Sequence, residues 1–142
     1  MKLLLLNDYA SLREGIKELL LRLYPGVEIH PAADGNEALR LYAECGPYDV
    51  VLTDIDHPGP NGLELAKAIW RRNFHQKVGF ITAYSLSRTL FDGVLSQVFD
   101  GIELIDFVDR LYALSQAAPV EEPLAIGGGP DFERREFYVR YG

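Results

Sequence analysis

VVLTDIDHPGPNG, residues 50 to 62, runs three aliphatic residues into Thr53 and then sets Asp54 and Asp56 just before a turn rich in proline and glycine. The apolar residues do not alternate with polar ones, as expected for a strand covered on both faces in a parallel sheet. The strand predicted over 48–54 ends by delivering Asp54 to its C-terminal edge. Aspartate is common as a helix cap or turn residue, so the neighbouring strand ends decide whether Asp54 is more than that.

Working outward, apolar runs and helical periodicities alternate along the chain. KLLLLN (2–7) is a second continuous apolar run, and Leu12, Ile16, Leu19, Leu20 and Leu23 then recur at helical spacing until Pro25-Gly26. A short strand over 27–31 and a helix over 34–45 follow, with Ala38, Leu41 and Tyr42 inward and Gly46-Pro47 closing it. Beyond Asp54 come a helix over about 62–73 and a strand over 77–83. The pattern then weakens through 85–97, and an amphipathic helix covers about 99–116. Strand and helix in strict alternation predict an α/β domain, a doubly wound parallel sheet with helices on both faces.

Composition narrows the function. The 142 residues are 48% hydrophobic, enough for one domain with its own core. No apolar run approaches a membrane span, and LLLL near the start is too short for a signal-peptide core, so a cytoplasmic protein is expected. A net charge of −7 argues against a polyanionic partner. Cys45 is alone, so no internal disulfide forms. His30, His57 and His75 receive no role.

In an open parallel sheet, ligands collect at the C-terminal ends of the strands. Three such ends carry polar groups: Asn7-Asp8, Asp54 and Thr82. Carboxylates meeting at one edge repel unless a cation lies between them, and hard oxygen ligands suit Mg²⁺. A carboxylate beside that cation can act as a nucleophile toward a phosphoryl group, with the Thr82 hydroxyl bonding a phosphoryl oxygen.

These residues resemble the receiver domain of two-component response regulators. Asn7-Asp8, Asp54 with Pro58 and Gly62, and Thr82-Ala83 match the family pattern, and GLEL at 62–65 and FDGIEL at 99–104 resemble its third and fifth helix starts. The resemblance covers residues 1–116. It implies a flavodoxin-like five-stranded sheet in the order 2-1-3-4-5. It also implies Asp54 as phosphoacceptor, Asp8 as a direct Mg²⁺ ligand, the Asp56 backbone carbonyl as another, and Asn7 as a water-mediated one where the family has a second acid. The implied phosphoryl donor is a histidine kinase or phosphotransfer protein.

The pattern departs from the family at its far end. Gln97 and Val98 stand where the family has Lys-Pro, and Val94 stands for the aromatic three residues earlier. Gln97 can donate a hydrogen bond but carries no charge. The span from Thr82 to Gln97 is short, which implies a fourth helix truncated by about two turns.

Three function classes are therefore weighed. The expected one is an atypical, stand-alone receiver in a phosphorelay, signalling through protein contacts to an unknown downstream partner. It is not an enzyme beyond autophosphorylation and self-dephosphorylation at Asp54. A phosphorylation-independent pseudo-receiver, acting as a docking or dimerisation module, is the alternative. A phosphatase, prompted by the resemblance of Asp54-Ile55-Asp56 to the DxD of haloacid dehalogenase-type phosphatases, is disfavoured, because that family has the motif after its first strand and here it follows the third. The 26 residues after position 116 are too few for a DNA-binding output domain, so no DNA binding is expected. Residues 117–130 read as a Pro/Gly linker, and 131–142 as an aromatic tail able to add a strand to a sheet edge. On the last helix, Leu104, Phe107, Leu111 and Leu114 lie beside Ile102, Ile105, Val108 and Tyr112. Two apolar stripes on one helix predict a homodimer through that helix and the tail.

Overall fold

The computed structural model describes residues 1–55, 60–82, 92–96 and 99–117. Leu3–Leu6 are at most 1% exposed because β1 (Lys2–Leu6) runs between two other strands with helices over both faces. The sheet has the order β2-β1-β3-β4-β5, with β2 at Glu28–Ala32, β3 at Val50–Thr53, β4 at Val78–Thr82 and β5 at Gly93–Ser96. All four pairings are parallel. This is the predicted five-stranded fold, with the ends of β1 to β4 within two residues of those read from the apolar runs, while β5 falls in the span where the pattern weakens. β2 holds Pro31 and lies at an edge, where a missing N–H is tolerated.

The side-chain alternation of β1 divides the core in two. Leu4 and Leu6 face one cluster with Val51, Val78 and Phe80, covered by α2 (Gly35–Cys45) and α3 (Gly62–Arg72). Leu3 and Leu5 face the other with Val50, Leu52 and Ile81, covered by α1 (Ala10–Leu23) and α4 (Gly101–Gln116). Local sequence fixes three of the helix starts. The Asp34 side chain accepts from Glu37 N, and Asn61/Glu64 and Asp100/Glu103 each form a reciprocal capping box. The N-cap of α1 is Tyr9 and makes no side-chain cap bond. No described helix is long and apolar enough to cross a membrane.

The face of α4 differs from the expected pair of stripes. Leu104, Phe107, Val108 and Leu111 are buried together, while Ile102 is 77% and Leu114 47% exposed. The reason lies in the sheet. Gly79 and Gly93 are register partners on β4 and β5 and leave a notch for α4. A Cβ at Gly79 would stand 2.8 Å from Phe107 Cζ, and one at Gly93 2.7 Å from Phe107 Cε1. Leu104, Phe107 and Leu111, three of the four residues in the stripe that ends at Leu114, thus belong to the core, and the dimer expectation loses the stripe it was argued from. The shortened fourth segment, the linker from 118 on and the tail at 131–142 lie outside the described residues, as do Asp56, Pro58, Ala83, Gln97 and Val98.

Candidate functional site

The strand order makes the site. β1 and β3 are neighbours with Leu6 opposite Thr53, and β3 and β4 are neighbours with Thr53 opposite Phe80. The residues that leave these strands therefore meet at one edge: Asn7 and Asp8 after β1, Asp54 after β3, and Thr82 ending β4. Asn7 and Thr82 are buried, Asp54 is half-buried and Asp8 is exposed. The structure thus brings together four of the site residues read from sequence. Val94 is part-buried against the α2–α3 cluster.

Asp54 is held by backbone. Thr53 Oγ1 donates to the Asp54 carbonyl at 2.9 Å, and Gly62 N donates to Ile55 O at 2.8 Å. Gly62 opens α3 directly against the end of β3, and a Cβ there would fall 2.1 Å from the Asp54 carbonyl oxygen. A glycine at that position is what lets the helix start so close to the phosphoacceptor candidate.

The carboxyl of Asp54 is pushed up from its ordinary 3.8 to about 7. Burial is the largest cause; a side-chain hydrogen bond with Asp8 and the Asp8 charge add to it, while the backbone N–H groups of Asp8 and Asp54 pull the other way. Two carboxyls at hydrogen-bond distance must share a proton or a cation. The donor set is oxygen, anionic and partly open to solvent, which fits a hard dication such as Mg²⁺ better than a soft metal. No group of three or more His, Cys, Asp or Glu at metal-binding spacing exists among the described residues.

Two contributors were missed from sequence. Tyr9 N donates to Asn7 Oδ1 at 2.8 Å, and Arg13 Nη1 donates to the Asn7 carbonyl at 2.6 Å. The available signal was a basic residue near the start of α1, whose first turn carries no acid, against the preference of the helix dipole.

The response regulator receiver domain profile matches residues 3–107. The nitrate/nitrite response regulator protein NarL of Escherichia coli K12 is 32% identical over 127 residues, 87% of this chain and 57% of that protein. The transcriptional regulatory protein LiaR of Bacillus subtilis is 29% identical over 131 residues, 89% of this chain and 61% of its own length. The chain therefore spans about three fifths of these relatives. Among solved structures, the response regulator protein TrrA of Thermotoga maritima, in complex with Mg²⁺-BeF, has a TM-score of 0.69 and 35% identity over 78% of this chain and 97% of that one. With its 2-1-3-4-5 sheet and its carboxylates gathered at the β1 and β3 ends, this chain belongs to the response regulator receiver domain family.

Proposed function

We propose that Asp54 accepts a phosphoryl group from a histidine kinase or phosphotransfer protein with Mg²⁺ bound, and that the domain signals through protein contacts. The observation that carries this reading is the Asp54 carboxyl, half-buried, bonded to Asp8 and pushed up to about 7. Such a pair is poorly stable as two bare anions and is relieved by a dication. Asp8, Asp54 and the Asp56 carbonyl would hold the cation, which when bound neutralises charge that builds on the phosphoryl oxygens in transfer.

In the transfer an Asp54 carboxylate oxygen forms the new P–O bond as the donor's bond to phosphorus breaks, and the donor leaves with the electron pair. The Thr82 hydroxyl donates to a phosphoryl oxygen. Gln97, outside the described residues, brings a neutral amide where the resemblance implies a charged lysine. The TrrA complex with Mg²⁺-BeF supports the metal assignment by likeness. The proposed setting is the cytoplasm. Val94, packed against the α2–α3 cluster, favours an output that does not use a swinging aromatic, and gives the pseudo-receiver its one structural argument.

Incubation with acetyl phosphate and Mg²⁺ followed by intact mass spectrometry tests the proposal. One added phosphoryl group on the wild type and none on Asp54→Asn is the expected result. No gain on either would leave the pseudo-receiver as the reading.

A further inference from the structure

Asn7 makes three hydrogen bonds at the site's edge. Its N–H donates to Ala32 O at 3.2 Å, its carbonyl accepts from Arg13 Nη1 at 2.6 Å, and its Oδ1 accepts from Tyr9 N at 2.8 Å. The residue is 4% exposed. Because the Tyr9 N–H can only donate, the side-chain amide turns its oxygen toward it, and the amide's other edge carries only N–H donors. A side-chain oxygen accepting from the residue two positions on closes an Asx turn. Asp8 is the residue inside that turn, and its own N–H is one of the groups that donate to Asp54.

The turn therefore aims Asp8. A carboxylate at position 7 could keep the Tyr9 bond through one oxygen and still present a second, charged oxygen to a cation. The amide keeps the turn without that charge. The Arg13 guanidinium on the Asn7 carbonyl places a fixed positive charge at the same edge, which further opposes a dication.

We propose that Asn7 is a positioning residue that braces the Asp8 turn, and that as a neutral amide it makes Mg²⁺ binding depend on a phosphoryl group at Asp54. The free site holds the cation weakly, and phosphoryl oxygens supply the missing negative charge. By linkage, cation and phosphoryl group tighten each other by the same factor. The second half of this inference rests on the phosphoacceptor reading; the positioning half does not.

The test titrates Mg²⁺ into the wild type, Asn7→Asp and Asn7→Ser, each with and without beryllofluoride, following backbone amide shifts by NMR and the thermal midpoint. Serine retains an oxygen able to accept from Tyr9 N. Protection of the Tyr9 amide from exchange reports whether the turn persists. Without beryllofluoride, Asn7→Asp is expected to bind Mg²⁺ about tenfold more tightly than the wild type, and Asn7→Ser to stay within about twofold. Beryllofluoride is expected to tighten Mg²⁺ on the wild type by about tenfold or more, and on Asn7→Asp by less.

An Asn7→Asp protein that binds no more tightly overturns the proposal. So does an Asn7→Ser protein that keeps Tyr9 protected yet binds at least about fivefold more weakly, since the Asn7 oxygen would then belong to the cation's own shell. Should serine lose the protected amide, the aspartate variant decides alone. If the aspartate result is as expected and beryllofluoride changes none of the three proteins, the phosphoacceptor reading falls and the positioning role stands.

Discussion

The two ends of the sheet treat their polar groups in opposite ways. At the N-terminal ends of β3 and β4, Gln76 is 2% exposed and fully engaged. Its Oε1 accepts from Tyr42 OH at 2.7 Å and Tyr48 N at 3.1 Å, its Nε2 donates to Lys77 O at 3.1 Å, and its carbonyl accepts from Trp70 Nε1 at 2.9 Å. Every partner there is complementary, and the network extends through Tyr48 OH to His30 Nδ1 at 2.7 Å. At the C-terminal ends, Asp8 and Asp54 are like groups pressed together, and burial first, then the Asp8 carboxyl beside it, takes Asp54 out of its ordinary acidity. One end is settled by its own residues. The other, on the proposed reading, is completed by something charged from outside, which is how a fold can be stable and still responsive.

The sharpest way to break this comparison is at the settled end. Gln76→Ala leaves Tyr42 OH, Tyr48 N and the surrounding cavity without their partner, and about 3 kcal/mol of stability is expected to be lost. Urea denaturation measures it. Mg²⁺ binding by the protein that remains folded should be unchanged; a weakened site would mean that the two ends are not separate.

At the responsive end, Gly62→Ala drives a methyl into the Asp54 carbonyl. About 2 kcal/mol is expected to be lost through overpacking. Here Mg²⁺ binding should fall with stability, as a titration on the folded fraction would read.

Asp54→Asn should act in the reverse direction and raise stability in metal-free buffer by about 1 kcal/mol above pH 7, a discounted figure because part of the carboxyl stays in water. The folded state holds the Asp54 proton more tightly than the unfolded chain does. Wild-type stability therefore falls as pH rises from about 4 to about 7 and is then level, while the Asn variant lacks that slope. Thermal midpoints across this range read the gap, which should close below pH 4 and shrink when Mg²⁺ is added at neutral pH. A gap independent of pH would remove burial of the charge as its cause.

The smallest effect is expected at Ile102, 77% exposed on α4. Ile102→Ser should change stability by less than about 0.5 kcal/mol. It should also leave the mass in light scattering where the wild type has it; a change in mass would return the helix to the list of interfaces.

The responsive end was the more legible of the two in sequence. Apolar runs without alternation placed the strands, and the polar residue after each run had to lie at the edge where Asp8, Asp54 and Thr82 are found. Gln76 gave no such signal, since its partners come from α2, the chain before β3 and α3, and no spacing links them. Asn7 was visible as a missing charge, but the direction of its amide is set by Tyr9 N, which only the folded turn reveals. The α4 face was misread for a related reason. Eight apolar positions on one helix do not say which half is inside; two glycines on strands far away in the chain decide it.

Those two glycines also set how the last helix is able to move. Phe107 and Leu111 both pack into the notch left by Gly79 and Gly93, so sliding α4 by a turn would bring Glu103 or Ser115 into it, a charge or a small polar side chain. Translation is thus penalised in either direction, and two seated side chains a turn apart hold the helix's direction as well as its position. The helix is keyed to the sheet as a two-pin plug is to its socket.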